Sequence, residues 1–205
     1  SLAAMHILQL ANGRRARVAP FDGAIINQML THALRTAQLN APQLWDARQA
    51  LEYRIVELAA LRRTAQDVTE LQGLAAAMQQ AVNDPATMTE LDIRFHTTLA
   101  RISGNPLFPA LITALAGTIR ETNPLVWRQR QSADARTAVV AVHAKLAESI
   151  ADGDPQAAMD AMADALVRKY APLPAASLSQ LINMLAGAAP QWESLRKPTL
   201  ARAKQ

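Results

Sequence analysis

A chain of 205 residues, half of them hydrophobic, holds enough apolar content for one large buried core, and its net charge of +4 is modest. Aromatics make up only 4% and cysteine is absent, which sets aside a β-sandwich composition, a disulfide scaffold and any thiolate metal site. Alanine and leucine abound instead, as in an all-α protein.

The first ten residues, SLAAMHILQL, read as helical. A turn at Asn12-Gly13 and a short alternating basic and apolar segment follow, so the spacing predicts a helix and then a small β-hairpin carrying Arg14, Arg15 and Arg17. A winged helix-turn-helix ends this way, with the wing's cations against DNA phosphates. Residues 1–21 are therefore expected to be the remnant of a DNA-binding domain, although a basic cluster is more often a solvated surface or tail than a nucleic-acid contact.

From Asp22 onward helices alternate with caps. Helices are expected over Gly23 to Gln38 and Gln43 to Arg63, the second with apolar residues at helical spacing. Thr64 with Asp67 three residues later approximates a capping box for a helix running to about Val82. Asp84-Pro85 supplies a cap and an N1 proline for the next helix, which Gly104 ends. Asn105-Pro106 repeats the device for a helix to about Glu121, and Asn123-Pro124 is expected to be a loop. Ser132 to Ala151 with Gly153 at its end, then Asp154-Pro155 to about Tyr170, complete the main set. A last helix is expected over Ser177 to Ala186 before an irregular tail. The chain thus divides into residues 1–21, a helical domain over 22–187 and a tail over 188–205, the domain being an antiparallel bundle of six to seven helices. No apolar run approaches the roughly 18 to 20 residues that cross a membrane and no signal pattern opens the chain, so a cytoplasmic location is expected.

The chemistry concentrates in TELDIRFHTTLARISGN. Asp92 and His96 stand four residues apart, so on one helix both project from the same face, one turn apart. That is a workable ligand pair for one metal ion, and His143, within another apolar helical run, supplies a third ligand if it faces them. The plainer reading is a local hydrogen-bonded pair and a core histidine. A hydrolase using such a metal would need a general base, and no sequence signature supplies one beside these residues. A bare helical interaction domain would place no polar cavity there.

The run Asp92 to His96, the following ARISGNPLF, HAKLAESIADGDPQAAMDAM from His143, and LWDARQALEYRIVELAALRRT upstream together resemble the FCD domain, the ligand-binding domain of the FadR-type branch of GntR transcription regulators. LAAMHILQLANGRRARVAP resembles the end of that family's winged helix. The resemblance spans about residues 1–170. It implies a homodimer that binds operator DNA and whose helical domain binds a small effector, by default a carboxylic acid. In many members a divalent metal such as zinc, nickel or manganese is held by one Asp and three His. Here that set would be Asp92, His96 and His143, with Ala165 at the fourth position. The resemblance also assigns Arg48 and Asn105 to effector contact. Arg48 has an alternative as a surface residue pairing with Asp46 or Glu52, and Asn105 has one as a helix cap.

Overall fold

The computed structural model describes residues 8–9, 15–19, 21–36, 38–39, 41–130 and 132–170. Arg14, the expected helix over 177–186 and the tail over 188–205 lie outside the described residues. Seven helices follow a short hairpin among the described residues. The hairpin pairs β1 (Leu8–Gln9) antiparallel with β2 (Arg17–Val18). The helices are α1 (Ala24–Arg35), α2 (Ala41–Arg62), α3 (Ala65–Gln80), α4 (Pro85–Ile102), α5 (Leu107–Gln129), α6 (Ala133–Asp152) and α7 (Pro155–Tyr170). The domain is all-α, with the short connections that make neighbours in a bundle antiparallel.

Two expectations are corrected. Leu8 and Gln9, placed in a helix from the sequence, are strand residues whose backbones pair with Val18 and Arg17. The alternation after Asn12-Gly13 needed a partner strand, and these residues supply it. Asn123-Pro124, expected as a loop, lies inside α5. Proline gives no N–H to the carbonyl four residues back, but the turn beyond it is held by packing. Val126 and Trp127 are buried there, and the Trp127 indole N–H donates to the Val82 carbonyl at 3.2 Å.

The helix ends follow local chemistry. Thr64 and Asp67 form a complete capping box at the start of α3. The Asp84 carboxylate accepts from the Ala86 and Thr87 backbone N–H groups, and Pro85 occupies the first turn of α4. Gly153 closes α6 at φ 70, a left-handed conformation that costs glycine little.

Helix α4 packs against α2, α3 and α5. Its exposed residues are Ala86 and Thr87 in the first turn and then Glu90, Arg94 and Arg101 along one stripe. Glu90 pairs with Arg120 of α5, while Arg101 pairs with Asp67 and Glu70 of α3. Most of the rest is buried: Phe95 and Leu99 are fully buried in a core cluster that also holds Ile55 and Val56 of α2, Leu71 and Met78 of α3, and Leu146 and Ile150 of α6. A helix covered on most sides must bury whatever polar residues it carries.

At the other side α1 lies against α5, and Gly23 sets how closely they approach. Its φ is +78, and a Cβ there would run into the Ala110 backbone carbonyl. Gly23→Ala is expected to lower stability by about 2 kcal/mol or more through backbone strain and the forced separation of the two helices. The shift of the urea midpoint relative to the parent chain measures this.

Candidate functional site

The polar residues that α4 buries lie near its middle. Asp92 and His96, one turn apart, face His143 on α6, and all three are almost wholly buried. Each offers a ligand atom, and these atoms lie within 4.8 Å of one another. His143 Nε2 is 3.3 Å from Asp92 Oδ1, and His96 Nε2 is 3.7 Å from the same oxygen. The sequence-derived trio is brought together.

The far nitrogens of the two rings explain their orientation. His143 Nδ1 donates to the Val139 carbonyl one turn back at 2.8 Å, since a carbonyl can only accept. Its Nε2 then faces inward, an atom with no hydrogen-bond partner of its own. His96 Nδ1 lies 3.2 Å from Glu52 Oε1. A carboxylate or carbonyl behind the ring, with the other nitrogen facing inward, is how proteins hold metal-ligating histidines. Two imidazole Nε2 atoms and a carboxylate oxygen converge there in an apolar interior, an arrangement that is favourable only with a cation or proton between them. The residues present therefore fit a divalent ion, whose bonds of about 2.0 to 2.2 Å ask only a small further approach of the three side chains.

Glu52 is the residue that sequence reasoning missed as part of the site. It sits on α2 and is 1% exposed, held between His96 and the Arg48 guanidinium, whose Nε donates to Glu52 Oε1 at 2.7 Å. Burial alone would raise the Glu52 carboxyl, but the charges of Arg48 and His96 outweigh it and hold the pKa at about 2. Burial likewise would lower the His96 imidazole, and the nearby Glu52 and Asp92 carboxylates raise it instead. The available signal was the four-residue spacing of Arg48 and Glu52, which marks an ion pair on one helix face without saying that the face is buried. Arg48 is 3% exposed, so it is not a surface residue, and it joins the ligand set through Glu52.

The other expected site residues are apart from this cluster. Asn105 sits in the turn after α4, where its side-chain oxygen accepts from the Leu107 N–H at 3.0 Å. Arg15 and Arg17 are exposed at the hairpin. Ala165 is buried on α7, while its neighbour Asp164 is exposed. A small cavity of about 20 Å³, room for little more than a water, lies beside Asp92, with Thr89, Asn123, Trp127 and Arg130 in its walls. Neither Arg48 nor Asn105 lines it.

Breaking the buried Arg48–Glu52 pair from one side leaves an uncompensated charge. In metal-free protein, Arg48→Met is expected to cost about 3 kcal/mol or more, whereas the double change Arg48→Met with Glu52→Leu should recover much of that loss. Urea unfolding of the two variants and the parent checks the difference.

Residues 43–168 match the family model of the FCD domain. Among curated relatives, the HTH-type transcriptional regulator LutR of Bacillus subtilis is 29% identical over 122 residues, covering 60% of this chain and 56% of LutR. The HTH-type transcriptional repressor NanR of Salmonella newport is 30% identical over 128 residues, covering 58% of this chain and 47% of NanR. The chain thus spans about half the length of the curated relatives it matches. Among solved structures, a Streptococcus agalactiae GntR protein superposes with a TM-score of 0.60 at 25% identity, covering 83% of this chain and 75% of that one. With more than half its length inside the domain match, the chain belongs to the FCD domain family of GntR-type regulators.

Proposed function

We propose that this chain is the effector-sensing part of a DNA-binding transcription regulator, and that its helical domain binds a small carboxylic acid at a divalent metal held by Asp92, His96 and His143. The observation that carries the reading is the convergence of the two Nε2 atoms on one Asp92 oxygen, with Val139 and Glu52 behind the rings. A metal there, zinc, nickel or manganese by its imidazole and carboxylate ligands, supplies a Lewis-acidic seat for an effector carboxylate oxygen. Because Ala165 brings no ligating atom, three protein ligands leave positions open for the effector or water. Arg48 orients His96 through Glu52, and Asn105 shapes the turn that ends α4.

The hairpin with Arg15 and Arg17, and Arg14 beside them in sequence, is read as a wing that meets DNA phosphates. Two such modules in a homodimer would be set at different spacings by the effector-bound and free domains. The effector's unequal affinity for those arrangements is the coupling to DNA binding. The residues around the site speak against a hydrolase: Glu52, the carboxylate beside the ligands, is engaged by Arg48 and His96 and is not available as a general base. The relatives named above are likewise regulators.

Metal content and affinity test the proposal. Stripped protein titrated with zinc, nickel or manganese is expected to take up close to one ion per chain. His143→Ala should abolish that uptake, and Glu52→Gln, which leaves all three ligands in place, should weaken it about 10- to 100-fold. No saturable uptake by the parent chain would remove the metal from the proposal. For the regulator reading, the whole gene product is expected to shift DNA from upstream of its own operon, with arginine-to-alanine changes at 15 and 17 weakening binding and flattening its salt dependence. Absence of any shift would sink that reading.

A further inference from the structure

We infer that Asn123 is a positioning residue for the metal site: its amide holds the Asp92 carboxylate by one oxygen and so turns the other, Oδ1, toward the two imidazoles. The inference rests on the proposed function, in which Asp92, His96 and His143 hold a divalent ion. The two oxygens of Asp92 face different neighbours. Its Oδ1 lies 3.3 Å from His143 Nε2 and 3.7 Å from His96 Nε2. Its Oδ2 accepts from Asn123 Nδ2 at 3.4 Å. Only the nitrogen end of the Asn123 amide can donate to a carboxylate, so the chemistry fixes which way the amide is turned. A carboxylate free to rotate offers a metal either oxygen or both, whereas one held through Oδ2 offers Oδ1.

The backbone that carries Asn123 is anchored on both sides. One turn earlier on α5, the Arg120 guanidinium donates to both carboxylate oxygens of Glu90 on α4, at 2.7 and 3.0 Å. One turn later, the Trp127 indole N–H donates to the Val82 carbonyl at 3.2 Å. Asn123 is three residues past the first anchor and four before the second, so it projects from the same side of α5 as both. Pro124 follows it directly and brings no backbone N–H to the helix, so the position of Asn123 depends on these side-chain anchors as well as on the helix ladder. The donor is thus in place before an ion binds, which is how a partner behind a ligand strengthens a metal site.

The other end of the amide shows what Asn123 contributes. Its Oδ1 is buried and has no hydrogen-bond partner, and the bond to Asp92 is the side chain's one hydrogen bond among the described residues. A buried acceptor left unmatched disfavours folding, so a leucine of similar size would be the easier residue to bury there. What asparagine supplies is the donor, and that donor falls on a metal ligand.

Zinc and cobalt(II) titrations of the full chain test this, cobalt because its visible absorption reports how many atoms surround it. Asn123→Leu and the smaller Asn123→Ala remove the donor and leave all three ligands. Both are expected to weaken zinc and cobalt binding about 10- to 100-fold and to change the cobalt spectrum. Asn123→Gln keeps the amide donor and should stay nearer to the parent than to either of them. Metal-free melting temperatures close to the parent's establish that the variants are folded; a merely structural asparagine would move those temperatures and leave the spectrum alone. Parent-like affinity and spectrum in Asn123→Leu and Asn123→Ala would overturn the inference while leaving the metal site in place, as would a loss in Asn123→Gln as large as theirs. A parent chain that takes up neither ion would overturn it together with the metal reading.

Discussion

Two imidazole nitrogens and a carboxylate oxygen aimed at one point, inside a bundle with no cysteine and few aromatics, form the constraint around which the domain is arranged. Such a cluster is unfavourable in an apolar interior unless each group has a partner or an ion completes it. The rest of the polar interior supplies that support. Val139 holds one ring, Glu52 backs the other, and Arg48 neutralises Glu52, so a path of contacts runs from α6 through α4 to α2. Three helices are thus tied by one polar seam, and the apolar residues around it keep solvent from loosening it.

The position of α4 makes this possible. With α2, α3 and α5 packed on it, the helix beyond its first turn has one solvent-facing stripe, and that stripe is itself tied down by the pairs Glu90 to Arg120 and Arg101 to Asp67 and Glu70. Those exposed pairs contribute little energy. Their geometric effect is to leave Asp92 and His96 nowhere to point except toward α6 and the small cavity. Pro124 illustrates the same dominance of packing over local preference: the helix continues through it because the next turn carries Trp127, whose ring is buried and hydrogen-bonded.

A polar site at the centre of a bundle also suits a sensor. Binding at the seam changes contacts on several helices together, so differential affinity for two arrangements reaches the domain surface without a long path. The residues that line the small cavity beside Asp92 come from three helices, α4, α5 and α6. A group entering there would meet elements that also set the packing of the bundle.

What local sequence could determine, it determined well. The caps at Thr64, Asp84 and Ser132 and the glycine after Asp152 mark helix ends because their chemistry lies within four residues of one another. The same reach explains why Asp92 and His96 were legible as a pair, since a helical spacing fixes their common face. That His143 joins them, that Arg48 is buried against Glu52 and that Asn123 and Arg130 share a cavity with Asp92 were decided by the tertiary structure. Each of these facts depends on which helix lies beside which, and the alternation of apolar and polar residues along a helix says only which side is inward. Spacing in the chain carries the direction of a side chain about its own helix axis; the identity of what it meets there is fixed only when the helices pack.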